Sequence, residues 1–394
     1  MSRMGQRYSG SGEHEWDKEE CLIMKKRMKK ICSLLLVSTL IFSAVGCGKK
    51  TEEPEKKKET KKTTVVQEKK NEPKEEEVKE EIPANQNLLT GIPDLTEGAI
   101  GKRPVAVMVN NVEKAMPQYG IAKADIIFEI PVEGDVTRFM ALYGDYTTLP
   151  QICPIRSCRY YFPALALGFD AFYVNWGIDD SIADYLAALN LDQFDGMNNP
   201  GGLFARDQEK LNAGYALEHT AYFDGPKFAE YVQANGIRTD LTEDKRDAAF
   251  PFYGLNEQIK PEGAACTNVQ INFGAQSATF TYDEASKTYL KQINGNPQVD
   301  ARENTQLAFT NVFVLETDIS VRDEVGHKQL DWDGASDSVG YYISNGAVQK
   351  IHWMKDENNE WSRLRFVDES GAEIKLNRGK TYIALNYRNQ ATFQ

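Results

Sequence analysis

Apolar and polar positions follow two different patterns along the chain, and each pattern predicts a different type of structure. From residue 87 to residue 250, apolar strand-like runs are mixed with segments whose apolar residues recur every three or four positions, which is helical spacing. The strand-like runs are "RPVAVMVNN" (103–111), "ADIIFEIPVEG" (124–134), "TRFMALYGDY" (137–146) and "DAFYVNWG" (170–177), and the helix-like segments are "RYYFPALALGF" (159–169), "DSIADYLAAL" (180–189) and "GPKFAEYVQANG" (225–236). Strands mixed with helices predict an N-terminal α/β domain over 87–250.

The pattern changes to that of β-structure after an aperiodic, proline-containing stretch at 249–265, where we expect a domain boundary. Asn345-Gly346 separates two strand-like runs, and this dipeptide is a strong signal of a β-hairpin. The eight strand-like runs are "NVQINF", "ATFTYD", "KTYLKQI", "QLAFTNVFVLET", "VGYYIS", "AVQKIHWM", "SRLRFV" and "TYIALNY". We therefore predict a mainly antiparallel, β-rich C-terminal domain over 264–394, and an α+β fold class for the chain.

The N-terminal residues have the pattern of an export signal. A lysine-rich start, an apolar run and small residues before Cys47 predict a signal peptide over 24–46. "AVGC" resembles the lipobox of bacterial lipoproteins, so we expect Cys47 to carry acyl chains such as palmitate and to anchor the protein in a membrane. Residues 1–23 precede a complete signal, which suggests that they are an upstream extension and that translation starts at Met24 or Met28.

The stretch that follows, 47–86, is too polar to build a core. Between residues 48 and 83 it has eleven lysines and eleven glutamates, which predicts a disordered, charged tether. The formal charge of the chain is −12, the first 47 residues carry +3 and the tether is neutral, so residues 84–394 carry −15. An acidic body argues against nucleic acid as a partner.

The remaining composition gives no sign of a cofactor or a metal. The four histidines are scattered, and the common cofactor and hydrolase motifs are absent from the sequence. Cys153 and Cys158 are close enough in sequence either to form a disulfide in an oxidising compartment or to remain two free, buried thiols. Both possibilities stay open at this level.

Three arginines form the most informative polar group. Arg156 and Arg159 lie at the predicted start of a helix, where the partial positive charge of the backbone disfavours cations. Ser157 is expected to be the N-cap of that helix, and Arg138 begins a predicted strand. An anion should therefore meet these arginines.

Two interpretations of that anion are possible. The arginines either form a pocket for a phosphate- or carboxylate-bearing ligand, or pair with Glu129, Glu133 or Asp135 inside the protein. Asparagines at the ends of predicted strands, together with one further arginine and one histidine, are candidates to join such a pocket. The candidate ligand-binding residues are Arg138, Arg156, Ser157, Arg159, Asn110, Asn175, Glu133, Arg206 and His219.

Several of these segments resemble a known family in order and spacing. "NLLTGIP", "RPVAVMVNN", "AMPQYGIAKADIIFE", "VEGDVTRFMALY" and "PIRSCRYYFPALALGFDAFYV" resemble the N-terminal domain of the YerB-like lipoproteins of Gram-positive bacteria. "TYDEASKTYLKQINGNPQVD", "LAFTNVFVL", "IHWMK" and "GKTY" resemble their C-terminal domain. The resemblance covers about 87–390 and implies a surface-anchored, two-domain lipoprotein, but it implies no reaction.

These observations favour an envelope protein that binds or scaffolds, with a cell-wall polymer or an envelope protein as its partner. An enzyme acting on envelope polymers is the alternative, and a carboxylate pair such as Glu129 and Glu133 would suit a glycosidase. A third class, a protein that engages partners through its β-rich region, would show an exposed apolar patch or edge strand. We expect the protein on the extracytoplasmic face of the cell membrane.

Overall fold

The computed structural model describes residues 81–356 and 358–394. The predicted extension 1–23, signal peptide 24–46, lipidated Cys47 and most of the tether lie outside the described residues. Within the described ranges, no helix is both long enough and apolar enough to cross a membrane.

The helices are short and few. Between them, short 3-10 turns shape the loops, and Leu217–His219 is the turn that matters for the candidate site. The α-helices are α1 (Tyr161–Leu167), α2 (Ala183–Ala188), α3 (Gln208–Asn212) and α4 (Gly225–Ala234).

The strands outnumber the helices and occur along the whole described chain. They are β1 (Val105–Asn110), β2 (Ile126–Pro131), β3 (Thr137–Tyr143), β4 (Gln151–Ile152), β5 (Phe172–Asn175), β6 (Gln193–Asp195), β7 (Phe204–Arg206), β8 (Ala221–Asp224), β9 (Ala264–Ala265), β10 (Asn268–Asn272), β11 (Ser277–Asp283), β12 (Thr288–Ile293), β13 (Asn296–Pro297), β14 (Val299–Asp300), β15 (Thr305–Gln306), β16 (Ala308–Phe309), β17 (Asn311–Thr317), β18 (Ile319–Val321), β19 (Lys328–Leu330), β20 (Gly334–Ser344), β21 (Ala347–Met354), β22 (Arg365–Val367), β23 (Thr381–Tyr387) and β24 (Ala391–Phe393).

The main sheet has eleven strands and is built from both predicted regions. Its order is β22-β21-β20-β17-β23-β2-β3-β1-β5-β6, with β9 paired to β21. The pairing β2–β23 is parallel and joins the two regions, with Ile126 opposite Thr381 and Glu129 opposite Ala384. The pairs β1–β5 and β5–β6 are also parallel, whereas β1–β3 and β2–β3 are antiparallel.

The core lies on both faces of this sheet, because its central strands are buried along their whole length. One face packs on α1 through residues such as Met108 and Phe128. The other face packs on α4 and on a second, six-stranded sheet of order β13-β12-β11-β10-β24, with β16 also paired to β12, through residues such as Val107 and Tyr382.

A fully buried polar network joins the two sheets. Lys291 Nζ on β12 lies 3.1 Å from Glu129 Oε2 on β2, and both side chains are at most 1% exposed. The Lys291 ammonium also donates to Gln298 Oε1 (2.8 Å), and the hydroxyl of Tyr382 donates to Glu129 Oε2 (2.7 Å). Burial lowers the pKa of Lys291, while the charge of Glu129 opposes that change. Glu129 therefore forms its ion pair with a lysine and not with an arginine.

The α+β fold class is confirmed, with a mixed sheet in the N-terminal region and mainly antiparallel pairing in the C-terminal region, where β17–β23 is a parallel pair. Each of the eight strand-like runs contains a strand, and the predicted hairpin turn has Asn345 and Gly346 at positive φ (43° and 77°). The described residues nevertheless form one compact unit, because the main sheet crosses the boundary expected at 249–265. Asn85 and Gln86, expected in the tether, bond to the body at Leu95 and Arg378.

Candidate functional site

The loop that carries Arg156 and Arg159 is extended, and the helix begins after it. Helix α1 starts at Tyr161 with Tyr160 at its N-cap, so the prediction that Ser157 is the N-cap is wrong. The backbone N–H of Arg156 donates to Met108 O on β1 (3.0 Å), which holds the loop against the main sheet. Arg156 therefore lies away from the helix terminus, whereas the carbonyl of Arg159 accepts from the backbone N–H of Phe162 (3.1 Å) in the first turn of α1.

Arg138 and Arg159 form an inner group with Glu133. Arg138 Nη2 donates to Glu133 Oε2 (3.2 Å) and Arg138 Nη1 donates to Ser157 O (2.7 Å). Arg159 Nε donates to Glu133 Oε1, and its Nη1 donates to Cys158 O (2.6 Å). The side chains of Arg138 and Arg159 are only 6% and 11% exposed. One glutamate of the protein itself forms an ion pair with both arginines.

The environment of this inner group affects the pKa values of its members. Burial and, to a smaller extent, the charge of Arg159 lower the pKa of Arg138, Glu133 opposes both effects, and the net pKa is about 10. Burial raises the pKa of Glu133, but the hydrogen bond from Arg159 and the charge of Arg138 outweigh it, so the net pKa is below its ordinary value. Glu133 is therefore held as a carboxylate.

His327 connects the inner group to the β18–β19 hairpin. Its Nε2 lies 3.5 Å from Glu133 Oε1, and its Nδ1 lies 2.6 Å from Asp323 Oδ2. Asp179, Asp323 and His327 each offer one atom within 4.8 Å of the others, a spacing that suits a metal ion. Arg322 already pairs with Asp179 and Asp323, so a guanidinium supplies the positive charge that these carboxylates require.

Arg156 belongs to a second, outer group. Its Nη1 lies 3.1 Å from Glu218 Oε2, and the exposed fractions of the two side chains are 26% and 54%. Glu218 lies in the turn Leu217–His219, and its other oxygen, Oε1, lies 3.6 Å from His219 Nε2. The partner of Arg156 is thus a solvent-exposed glutamate that was not among the candidates.

His219 is buried beneath this pair and is oriented by Asn110. The amide nitrogen of Asn110 lies 3.0 Å from His219 Nδ1, and the amide oxygen of Asn110 accepts from the backbone N–H of Val112 (3.3 Å). In this orientation His219 Nδ1 accepts and Nε2 carries the proton toward Glu218. Burial lowers the pKa of His219, the charge of Glu218 raises it, and that of Arg156 lowers it. The imidazole is therefore neutral at pH 7.

Arg206 contacts the same turn. Its guanidinium stacks on Trp176, with Cζ 4.2 Å from the ring centroid, and Nη1 donates to Leu217 O (2.6 Å). Trp176 is linked to the loop through its backbone N–H, which donates to Arg156 O (3.0 Å). Burial lowers the pKa of Arg206. We call the surface formed by Arg156, Trp176, Arg206, Leu217 and Glu218 the Arg156 surface.

Asn175 has a different role from the one expected. Its amide donates to Gly177 O (2.9 Å) and contacts Asp195, and its oxygen accepts from Gln193 Nε2 (2.8 Å). These bonds use its polar atoms to fix the loop after β5. Asn175 therefore supports the segment that carries Trp176 and does not face a ligand.

The remaining alternatives are also resolved. Asp135 pairs with Lys328 and Tyr387, so among the expected internal anions only Glu133 meets arginines. Cys153 and Cys158 are free, buried thiols. Two concave regions lie elsewhere, with Asp247 and Arg363 in the lining of both, and neither is lined by a candidate residue.

The site residues that the sequence did not indicate share a common property. Glu218 and Trp176 lie far along the chain from the arginines Arg156 and Arg206 that they contact. His327 and Arg322 are likewise distant along the chain from the carboxylates of Glu133 and Asp179. No local spacing or motif relates these residues to their partners. Only the opposite charges of the ionisable ones could have suggested a pairing.

Comparison with known proteins gives a consistent result. Residues 89–238 match the N-terminal domain, and residues 269–383 the C-terminal domain, of a family described as "Protein of unknown function (DUF3048)". The chain is 28% identical to the "Putative lipoprotein YerB" of Bacillus subtilis over 263 residues, which are 64% of this chain and 73% of that protein. A crystal structure of the YerB protein from Bacillus subtilis aligns with a TM-score of 0.65 and 25% identity, covering 78% of this chain and 98% of the other. The chain therefore belongs to the YerB-like family, whose two domains have no assigned function.

Proposed function

We propose that this protein is a lipid-anchored envelope protein that binds an anionic, phosphate-bearing cell-envelope polymer on the Arg156 surface. The signal peptide over 24–46, the lipobox at Cys47 and a related chain named as a lipoprotein support the anchor and a location on the extracytoplasmic face. Two acyl chains on Cys47 would give stable attachment.

The observation that carries the proposal is the contrast between inner and outer arginines. Arg138 and Arg159 are nearly buried and share the carboxylate of Glu133. Arg156 and Arg206 are partly exposed, and each contacts the turn Leu217–His219. Because they are partly exposed, Arg156 and Arg206 are the two arginines that are available to a ligand. Guanidinium groups bind phosphate with good geometry.

The same contrast favours a binding protein over an enzyme. The carboxylate of Glu218, which faces Arg156, is already paired with that arginine and lies against His219, and the carboxylate pair proposed for a glycosidase does not fit. Glu129 is buried against Lys291, and Glu133 is held as a carboxylate by two arginines. Binding through the outer arginines requires neither residue to change its protonation state.

The proposal is tested by binding of the full-length protein in detergent to purified cell walls. Arg156→Gln and Arg206→Gln should each reduce binding several-fold, whereas Arg388→Gln, which removes an exposed arginine paired with Asp318, should leave it unchanged. Walls whose phosphate-bearing polymers have been removed with hydrofluoric acid should bind all variants weakly. Equal binding of treated and untreated walls by the wild type would contradict the proposal.

The anchor is tested separately by labelling cells with a palmitate analogue. The wild-type protein should be labelled and should sediment with membranes, and Cys47→Ser should remove both properties. Labelling that persists in Cys47→Ser would place the lipid on another residue and refute the lipobox assignment.

A further inference from the structure

The turn Leu217–His219 places a carboxylate of the chain itself on the Arg156 surface. Glu218 lies with one oxygen 3.1 Å from Arg156 Nη1 and the other 3.6 Å from His219 Nε2. We propose, resting on the function proposed above, that Glu218 occupies the anion site in the free protein and is displaced by a ligand that carries two or more phosphate groups.

Displacement of Glu218 requires little rearrangement. Its side chain is 54% exposed, so it can rotate into solvent without opening a core. The neighbouring contacts stay in place, because His219 is held by Asn110 and Arg206 is held by Trp176 and the Leu217 carbonyl. The site is therefore formed before the ligand arrives, and only one side chain has to leave it.

Arg206 supplies a second point of contact for the ligand. Within the described residues its one hydrogen bond goes to Leu217 O, whereas its guanidinium has five N–H donors. Stacking on Trp176 fixes the plane of the guanidinium, which lowers the entropy lost when a ligand binds. Arg156 and Arg206 contact consecutive residues of the turn, at the side chain of Glu218 and the carbonyl of Leu217.

The presence of Glu218 determines which anions can bind. A tethered carboxylate has an effective concentration in roughly the millimolar range, so a free monocarboxylate competes poorly with it. A terminal phosphate or a diphosphate carries more charge than a carboxylate, and any of these groups accepts two parallel N–H bonds from one guanidinium. A second phosphate gains the contact with Arg206. The ligand class is therefore a diphosphate or a phosphodiester-linked chain.

Calorimetric titration of the full chain in detergent with inorganic pyrophosphate tests this inference. Glu218→Gln should bind pyrophosphate about two- to five-fold more tightly than the wild type, the range expected for loss of an exposed ion pair. Asp318→Asn is the matched control, since it also removes an exposed carboxylate paired with an arginine, and its affinity should equal that of the wild type. Acetate should give no measurable heat of binding with the wild type, and it should bind Glu218→Gln much more weakly than pyrophosphate does.

The outcomes separate this inference from the function on which it rests. If Arg156→Gln weakens pyrophosphate binding but Glu218→Gln equals the wild type, Glu218 is not a competitor and only this inference is wrong. If acetate binds Glu218→Gln as tightly as pyrophosphate does, the ligand class is wrong. If Arg156→Gln and Arg206→Gln bind like the wild type, or if nothing binds, the proposed function itself is wrong.

Discussion

Glu133 is the residue that allows two arginines to be nearly buried side by side. It bonds to both Arg138 and Arg159, and it lies within 3.5 Å of His327. Removing one partner of a buried ion pair leaves an uncompensated charge, which is far more costly than losing an exposed pair.

We predict that Glu133→Gln lowers the free energy of unfolding by roughly 3 kcal/mol, because the two guanidinium groups lose their carboxylate. Urea denaturation followed by circular dichroism measures the change. Glu369→Gln is the control, since it removes an exposed carboxylate 3.4 Å from Lys350 and should cost less than about 1 kcal/mol. Equal effects of the two substitutions would show that Glu133 is not the partner that stabilises the arginines.

The stabilities of the wild type and of Glu133→Gln should respond differently to acid. The pKa of Glu133 is lower in the folded protein than its ordinary value of 4.5, so its stabilising contribution is complete above that value and is lost as the pH falls through the folded pKa. The difference in unfolding free energy between wild type and Glu133→Gln should therefore shrink below about pH 4.5. A difference that stays constant to pH 3 would contradict the assigned charge state.

His219 gives a second prediction for a single residue. Its pKa is lowered chiefly by burial, and Asn110 faces its Nδ1 with an amide donor. Asn110→Asp puts a carboxylate there and should raise the pKa of His219 by at least about 1, because an opposite charge favours the imidazolium. An NMR titration of the imidazole protons measures this, with exposed Asn268→Asp as the control. An unchanged pKa in Asn110→Asp would contradict the contact.

At the scale of secondary-structure elements, the sequence predicts strands and turns better than their partners. Alternating apolar runs identify strands such as β10 to β12, and Asn345-Gly346 adopts positive φ as a hairpin turn requires. The helix before β5 starts two residues later than predicted, because the arginine loop pairs with β1 instead of coiling.

Contacts between distant elements were beyond what the sequence could indicate. The parallel pairing of β2 with β23 joins residues more than 250 positions apart. The apolar pattern of a strand does not specify which other strand it pairs with. The candidate site shows the same limit. Arg138, Arg159 and Glu133 were indicated together because they lie in a predicted strand, the turn before it and the next loop, whereas Glu218 required the fold to bring it to Arg156.

The side-chain contact between β2 and β12, which links the two sheets, can be tested through the buried ion pair of Glu129 and Lys291. Lys291→Met should destabilise the protein by roughly 3–5 kcal/mol, because it leaves the Glu129 carboxylate buried without a cation. The double variant Glu129→Gln/Lys291→Met should recover part of this loss, since no charge then remains in the core. Denaturation of the two single variants and the double variant measures the coupling. Strictly additive losses would contradict a direct interaction.

At the scale of the whole molecule, the shared sheet predicts that the two sequence regions unfold together. The strands of 87–250 and 264–394 exchange backbone hydrogen bonds through β2 and β23, and their side chains form common cores. Denaturation should therefore show one transition, with far-UV and near-UV circular dichroism coinciding. Two separated transitions would mean that the regions fold independently despite the shared sheet.

The proposed function requires that the outer arginines, Arg156 and Arg206, bind an anion and that the inner ones, Arg138 and Arg159, do not. The most direct test is NMR of the isotope-labelled protein during titration with inorganic pyrophosphate. The signals of the Trp176 indole and of Nε of Arg156 and Arg206 should shift as pyrophosphate binds, while Nε of Arg159, bonded to Glu133, should stay unchanged. Absence of shifts at Trp176 and Arg206, or shifts confined to other parts of the protein, would contradict the account.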